Sequence, residues 1–316
     1  MVSRNRADRP VAVVTGAGRG LGRSHALALA ASGMRVVVND LGVGIGGADR
    51  DESPADTVVS EIEAAGGEAV SDHSDISTWE GGSNLVARVV EDYGRFDVLV
   101  TNAGILRDST IADMTESDVD AVMAVHVKGT LGPLSHAARY WRSHPEAADV
   151  ECRRVITTTS PSGLFSVGNA NYSLAKSGIA GLTLLASREL AAYGATVNSI
   201  APRALTRMTD GIARIRDGAS PTPGGLQPYA PEHVSTLVSW LAGSRASGVT
   251  GHVFLVYGGF ISVVDGWTSG APARSASGWV MSDLDSLIPD LVGSAQPPAG
   301  LNGERPAEHE ILIGTQ

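Results

Sequence analysis

Two residues four apart carry the most pointed chemistry in this sequence: Tyr172 and Lys176, in the stretch Asn171-Tyr172-Ser173-Leu174-Ala175-Lys176. Helical spacing puts both side chains on one face. A tyrosine of ordinary pKa, about 10, is a poor base near neutrality, and a cation beside it favours the phenolate. Lys176 can supply that charge. Ser160, in Ser160-Pro161-Ser162-Gly163, closes an apolar run and can hold a substrate oxygen beside the tyrosine. Together the three can move a proton on a hydroxyl or carbonyl. A lone Tyr-x-x-x-Lys is more often a packed ring and a surface cation, so the reading needs a second signal.

That signal lies upstream. Val11-Ala12-Val13-Val14 runs into Thr15-Gly16-Ala17-Gly18-Arg19-Gly20-Leu21-Gly22, a small-residue helical pattern follows from Arg23 to Ser32, and Val36-Val37-Val38 stops at Asn39-Asp40. Strand, glycine turn, helix, strand and a closing acid make a dinucleotide site. The glycines let the backbone approach a pyrophosphate, and the helix N-terminus offers it free N–H groups. Asp40 can accept the two adenosine ribose hydroxyls and repel a 2′-phosphate, which favours NAD over NADP. Arg19 is a counter-signal, because a base in this turn can accept that phosphate. With a nicotinamide to carry the hydride and Lys176 to bind its ribose, the trio becomes an alcohol–ketone redox site.

The elements that must position these residues follow in order. Pro54 to Ala65 reads as a helix, Glu68 to Ile76 as a third strand, Asn84 to Tyr93 as a helix, and Phe96 to Val100 as a fourth strand running into Asn102-Ala103-Gly104. Ser117 to Trp141 reads as one long helix, Arg154 to Thr159 as a fifth strand, Asn171 to Tyr193 as a helix, and Thr196 to Ile200 as a sixth strand closed by Ala201-Pro202. Arg203 to Pro228 is irregular and reads as a lid over a site. Glu232 to Ala242 is a helix and His252 to Tyr257 a last strand. This alternation implies an α/β fold: a Rossmann-type doubly wound parallel sheet covered on both faces. Residues 1–265 read as one domain and 266–316 as a C-terminal extension with one short helix at Met281 to Leu291.

Composition bounds the function. The 316 residues are 43% hydrophobic, enough for a sizeable core, and carry a formal net charge of −10, which disfavours nucleic acid as a partner. Cys152 is the single cysteine, so no internal disulfide forms and a reducing compartment is expected. No helical metal-ligand pair occurs among the eight histidines. Met1 to Pro10 lacks an apolar signal core and no run reaches membrane-spanning length, so the cytoplasm is the expected place.

Thr-Gly-x-x-x-Gly-x-Gly at Thr15 to Gly22, Asn102-Ala103-Gly104, and Tyr172 with Lys176 together resemble the short-chain dehydrogenase/reductase family over about Arg9 to Gly259. The resemblance implies a Rossmann fold, a nicotinamide cofactor and a homodimer or homotetramer. It implies catalytic roles for Ser160, Tyr172 and Lys176. Cofactor contacts are implied at Gly16, Gly18, Arg19, Gly20, Leu21, Gly22, Asp40, Asp75, Ile76, Asn102, Ala103, Gly104 and Pro202, besides Tyr172 and Lys176. Asp75 also reads as the cap of the helix that follows it. Ser160 lies twelve residues before Tyr172 where the family more often has thirteen, which puts Thr159 in competition. The Gly163 that follows by three favours Ser160, with a one-residue deletion near Val167-Gly168 to explain the count and Ser162 as a lesser candidate. His126 stands where the family usually has Asn, either as a proton relay or backbone support or as a core histidine.

A narrower resemblance links Val36 to Gly42, Asn102 to Asp108, Ala201 to Thr209 and Leu237 to Leu241 to the (3R)-hydroxyacyl-CoA dehydrogenase domain of peroxisomal multifunctional enzyme type 2 and its bacterial hydroxysteroid dehydrogenase relatives. It implies an acyl-CoA or steroid-like substrate. No C-terminal peroxisomal tripeptide is present in Gly314-Thr315-Gln316. Arg203 (where the family has Gly), Arg207 and Arg107 are candidates for a substrate phosphate. The rivals are a hydroxysteroid dehydrogenase, a 3-oxoacyl reductase, and a non-catalytic NAD-binding regulator. The last has no reason to keep Ser160, Tyr172 and Lys176 together.

Overall fold

The computed structural model describes residues 9–44, 46–47, 53–145, 153–165, 168–209, 220–222, 224–266, 269–270 and 272–294. Cys152, Val167 and parts of the irregular segments 41–53 and 203–228 lie outside them. The chain divides into two units, Met1–Val264 and Asp265–Gln316.

The first unit is built on strands β1 (Val11–Thr15), β2 (Arg35–Asn39), β3 (Glu68–Asp72), β4 (Val98–Thr101), β5 (Arg153–Thr158), β6 (Ala195–Pro202), β7 (Val253–Tyr257) and β8 (Phe260–Val264). They form one sheet in the order β3-β2-β1-β4-β5-β6-β7-β8. β1 to β7 are parallel. Buried throughout, β1, β2 and β4 read as near-continuous, mostly β-branched runs rather than alternating ones. Val14, Val36 and Val38 face a core with Leu29 of α1 (Gly20–Ala31), Ile62 of α2 (Ser53–Ala64) and Val238 of a later helix, Pro231–Ala242. Val11, Val13 and Val37 face the opposite core, with Leu85 of α3 (Trp79–Tyr93) and two further helices over residues 129–143 and 170–189. The strand order reverses between β1 and β4, and a crevice opens there at the carboxyl ends of the strands.

Several elements differ from the sequence reading. β8 is an eighth strand, antiparallel to β7 with Tyr257 opposite Phe260, so His252 to Tyr257 is not the last. Its hairpin turns on Gly258-Gly259, with Gly258 at φ +47°. β3 ends at Asp72, short of Ile76, because Asn39 Nδ2 donates to Asp72 Oδ1 (2.7 Å) and to the Ser74 carbonyl (3.0 Å), turning the chain. α3 starts at Trp79, not Asn84. Gly81 and Gly82, which look like breakers, are there for closeness: a Cβ on Gly81 would lie 1.9 Å from the Asp75 carbonyl oxygen and one on Gly82 2.9 Å from Pro133 N. The long helix is three pieces: α4 (Glu116–Met123), a π-helical segment (Ala124–Lys128) and α5 (Gly129–Ser143). A short α6 (Pro161–Phe165) precedes α7 (Ala170–Glu189), and α8 is Pro231–Ala242.

The second unit contains α9 (Met281–Ser294). Among the described residues no helix is long and apolar enough to cross a membrane.

Candidate active site

The crevice is floored by the turn between β1 and α1. A Cβ on Gly16 (φ +63°) would stand 2.6 Å from Ala103 Cα, and one on Gly22 would stand 2.1 Å from the Gly16 carbonyl oxygen. Neither position tolerates a side chain. Gly22 also makes room for Asn102, whose Nδ2 donates to the carbonyls of Thr15 and Gly16, both at 3.1 Å. Thr15 Oγ1 accepts from the main-chain N–H of Asn102 (3.1 Å) and Ala103 (3.2 Å). The turn after β4 is thus locked to the turn after β1. Thr15 was not expected as a site residue; its place as the first residue of the glycine motif was the available signal.

The first turn of α1 has no side-chain cap and no acidic residue, which leaves its N–H groups for an anion. Asp40 stands at the end of β2. Its Oδ2 accepts from Gly18 N and its Oδ1 from Gly42 N, each at 2.7 Å. Each oxygen keeps a lone pair for a ribose hydroxyl. Gly16, Arg19, Gly20, Leu21, Asp40, Asp75, Ile76, Asn102, Ala103 and Gly104 line the crevice, as do Lys176 and Pro202. Gly18 and Gly22 do not; they shape it from behind. Free helix N–H groups, a bare glycine turn and a carboxylate one strand away fit an adenine dinucleotide. Asp75 does not cap α3. Its Oδ1 accepts from Ser77 N (3.0 Å) and Ser77 Oγ (2.6 Å), and Thr78 is the cap, accepting from Gly81 N at 2.9 Å. The Thr-x-x-Gly after Asp75 has the better reach.

At the other end Ser160, Tyr172, Lys176 and His126 line the same crevice. Ser160 follows β5 and hydrogen-bonds the Tyr172 side chain. Thr159 is buried, and its Oγ1 donates to the Lys176 carbonyl at 2.6 Å. A Cβ on Gly163 would lie 2.5 Å from Ser177 N, so the Ser-x-x-Gly spacing reflects α6 lying directly on α7. Ser162 does not line the crevice.

The electrostatics differ from the sequence expectation. Burial pushes the Tyr172 phenol above its ordinary value, and the Ser160 hydrogen bond opposes that. Lys176 Nζ lies 5.6 Å from the Tyr172 ring centroid and donates to the Thr158 carbonyl at 2.7 Å. Burial lowers Lys176 itself to about 7. The phenol is therefore the resting form, because desolvation weighs on the tyrosine and on its cation alike.

His126 sits in the π-helical segment, buried, with Nε2 2.9 Å from the Ile105 carbonyl oxygen and 3.2 Å from Ile105 N. One ring nitrogen cannot serve both at once; the tautomer selects which. Its ring meets Tyr172 edge-on at 5.2 Å. Gly104 has no side chain because a Cβ there would lie 2.6 Å from His126 Cε1. Burial, then the charge of Lys176, lowers its pKa to about 3, so the imidazole is neutral near pH 7 and supports the ring and Ile105 without titrating. Asn171, which sequence reasoning missed, accepts from Tyr172 N at 2.7 Å and donates to the Arg107 carbonyl at 3.0 Å. No sequence pattern marks it.

The three candidate arginines separate. Arg207 lines the crevice. Arg203 does not: its guanidinium lies 4.7 Å from the Tyr257 ring centroid and 5.6 Å from that of Tyr229. Cation–π stacking holds it away from a substrate phosphate. Arg107 does not line the crevice; its Nη2 lies 4.0 Å from where a Cβ on Gly47 would be.

Residues 10–217 match the family model described as short chain dehydrogenase. The chain belongs to the short-chain dehydrogenase family. A hydroxyacyl-CoA dehydrogenase (ChsB1) of Mycobacterium tuberculosis is 43% identical over 265 residues, 80% of this chain and 79% of that protein. A peroxisomal hydratase-dehydrogenase-epimerase of Saccharomyces cerevisiae is 41% identical over 79% of this chain, which spans only 26% of that protein's length. The crystal structure of a short chain dehydrogenase from Mycobacterium avium superposes with TM-score 0.80 at 46% identity, covering 94% of this chain and 99% of its own. This short-chain dehydrogenase is thus an oxidoreductase with a small-molecule substrate, of a family that typically uses a nicotinamide cofactor.

Proposed function

We propose that this short-chain dehydrogenase is an NAD-dependent (3R)-hydroxyacyl-CoA dehydrogenase, with residues 1–265 as the dehydrogenase domain and 266–316 as an extension. The observation that carries the chemistry is the convergence of Ser160, Tyr172 and Lys176 at one end of a crevice whose other end holds Asp40. The substrate class rests on kinship with the mycobacterial hydroxyacyl-CoA dehydrogenase. A bound nicotinamide would supply the acceptor for the hydride of the carbinol carbon. Ser160 holds the carbinol oxygen, Tyr172 exchanges the hydroxyl proton, and Lys176 binds the nicotinamide ribose. Because Tyr172 rests as the phenol, its proton goes readily to a ketone, and oxidation gains as pH rises.

The test is NADH formation across 3-hydroxyacyl-CoA thioesters, their free acids and free hydroxysteroids. A far higher kcat/KM for thioesters supports the reading. Equal turnover of a free steroid alcohol replaces it with the hydroxysteroid rival.

Asp40 supports NAD over NADP. Asp40→Ser removes two acceptors for ribose hydroxyls, each worth about 1 kcal/mol, so the NAD:NADP ratio of kcat/KM falls about tenfold or more. Asp40 also holds Gly18 and Gly42, so the ratio is the readout rather than absolute activity. A wild-type enzyme that already prefers NADP makes Arg19 the deciding residue.

We read the enzyme as a cytoplasmic homo-oligomer. In support, Leu131 on α5 and Leu184 and Leu185 on α7 are exposed, beside Arg139, Arg142 and Glu189. Two copies related by a two-fold axis can bury such leucines and pair those charges.

A further inference from the structure

Arg107 holds a buried donor, its Nε, that meets no acceptor among the described residues. Such a group costs free energy unless something fills the vacancy. Asp108 accepts from Asn169, and Asp118 is bonded to Thr115, with Thr115 Oγ1 donating at 2.6 Å; the Arg107 charge acts on the Asp118 carboxyl, but no hydrogen bond joins Asp118 to Arg107 Nε.

The position is fixed relative to the chemistry. Asn171 links the Arg107 carbonyl to Tyr172 N. Two residues before Arg107, Ile105 lines the crevice. Across the mouth stands the turn at Gly47 (φ +83°), where a Cβ would lie 3.5 Å from Ile105 Cδ1 and 4.0 Å from Arg107 Nη2. Leu41, Val43 and Gly44, on the same β2–α2 connection, line the crevice as well. The guanidinium therefore lies beside Ile105, which lines the crevice, and beside Gly47, which carries no side chain.

We propose that Arg107 determines specificity by receiving a phosphate of the substrate's coenzyme A arm. The inference rests on the acyl-CoA reading. Asn171 fixes the main chain of Arg107 beside that of Tyr172, which ties the segment carrying the receptor to the helix carrying the tyrosine. Arg203 is stacked away from this duty.

The experiment compares a 3-hydroxyacyl-CoA with the N-acetylcysteamine thioester of the same acid, which lacks the phosphates. Wild type, Arg107→Lys and Arg107→Met are assayed, and free coenzyme A is titrated calorimetrically into each. Loss of a charge-assisted contact is expected to cut the preference for the CoA thioester about ten- to a hundredfold in Arg107→Met, through KM, with a matching loss in coenzyme A affinity. Arg107→Lys keeps the charge and retains most of both. A preference and a coenzyme A affinity unaltered in Arg107→Met overturn the inference while leaving the acyl-CoA reading in place. Wild-type enzyme that does not prefer the CoA thioester overturns both, and that failure is visible without any variant. Should Arg107→Met fold poorly, the folded Arg107→Lys decides: a largely retained coenzyme A affinity supports the phosphate contact, and complete loss with the charge still present counts against it.

Discussion

Tyr172→Phe lowers kcat by about a hundred- to ten-thousandfold, the usual contribution of a positioned acid–base group. The phenylalanine keeps the ring that packs edge-on against His126 at 5.2 Å, so fold and melting temperature stay near wild type. Only the oxygen bonded to Ser160 is lost. NAD affinity, followed by fluorescence titration, should hold, because the glycine turn, Asp40 and Lys176 are untouched. Near-normal turnover in this variant would refute the assignment of Tyr172. A loss confined to KM would mean that the hydroxyl binds substrate without exchanging its proton.

The second large effect is loss of stability in acid. His25 and His126 are both buried, and burial lowers each to about 3. His25 Nδ1 lies 2.8 Å from Ser235 Oγ, and its Nε2 has no partner among the described residues. The unfolded chain takes up protons at these histidines near 6.5, while the folded chain refuses them down to about 3. Between those values the unfolded state binds more protons, so stability falls as pH falls. At pH 5 the cost is roughly 2 kcal/mol per histidine, hence about 4 kcal/mol for the pair. Urea unfolding at pH 7.5 and pH 5 measures it. His25→Gln with His126→Gln should flatten that slope even where the replacements lower stability outright. An unchanged slope assigns the acid sensitivity to carboxylates. Lys176 acts on the alkaline side: lowered to about 7 in the fold, it makes stability rise from there towards its ordinary value.

What the sequence disclosed and what it withheld have physical causes. β1, β2 and β4 announce themselves as mostly β-branched runs, because a strand buried on both faces needs them, whereas β3, Glu-Ala-Val-Ser-Asp at the sheet edge, is only partly buried and carries a weaker signal. The glycine turn and the Tyr172–Lys176 pair are local, within one turn or one helix face. β8 was legible in principle: Gly258-Gly259 between two apolar runs is a hairpin signal, overlooked against an all-parallel expectation. Other features have no local signature. The anchoring of Ile105 by His126 joins residues 21 apart, and the Arg203 stack joins two loops and the end of β7. The resting protonation of Tyr172 depends on how deeply two helical neighbours are desolvated, which spacing alone does not report.

The π-helical segment at Ala124–Lys128 amounts to one residue more than an α-helix would need over the same rise. That residue sets the phase of everything after it. Excising one residue there would let α4 and α5 join as a regular helix, and would turn α5 by about 100° about its axis. Gly129 would swing away from Ile76, whose Cδ1 now lies 2.3 Å from where a Cβ would be, and Pro133 would leave its place against Gly82. The end of the crevice lined by Asp75 and Ile76 and the packing of α3 on α5 would go out of register together. A homologue that shortened this helix by one residue would have to re-cut both glycine contacts, so the length of this segment behaves as a single inherited unit with the surfaces on either side of it.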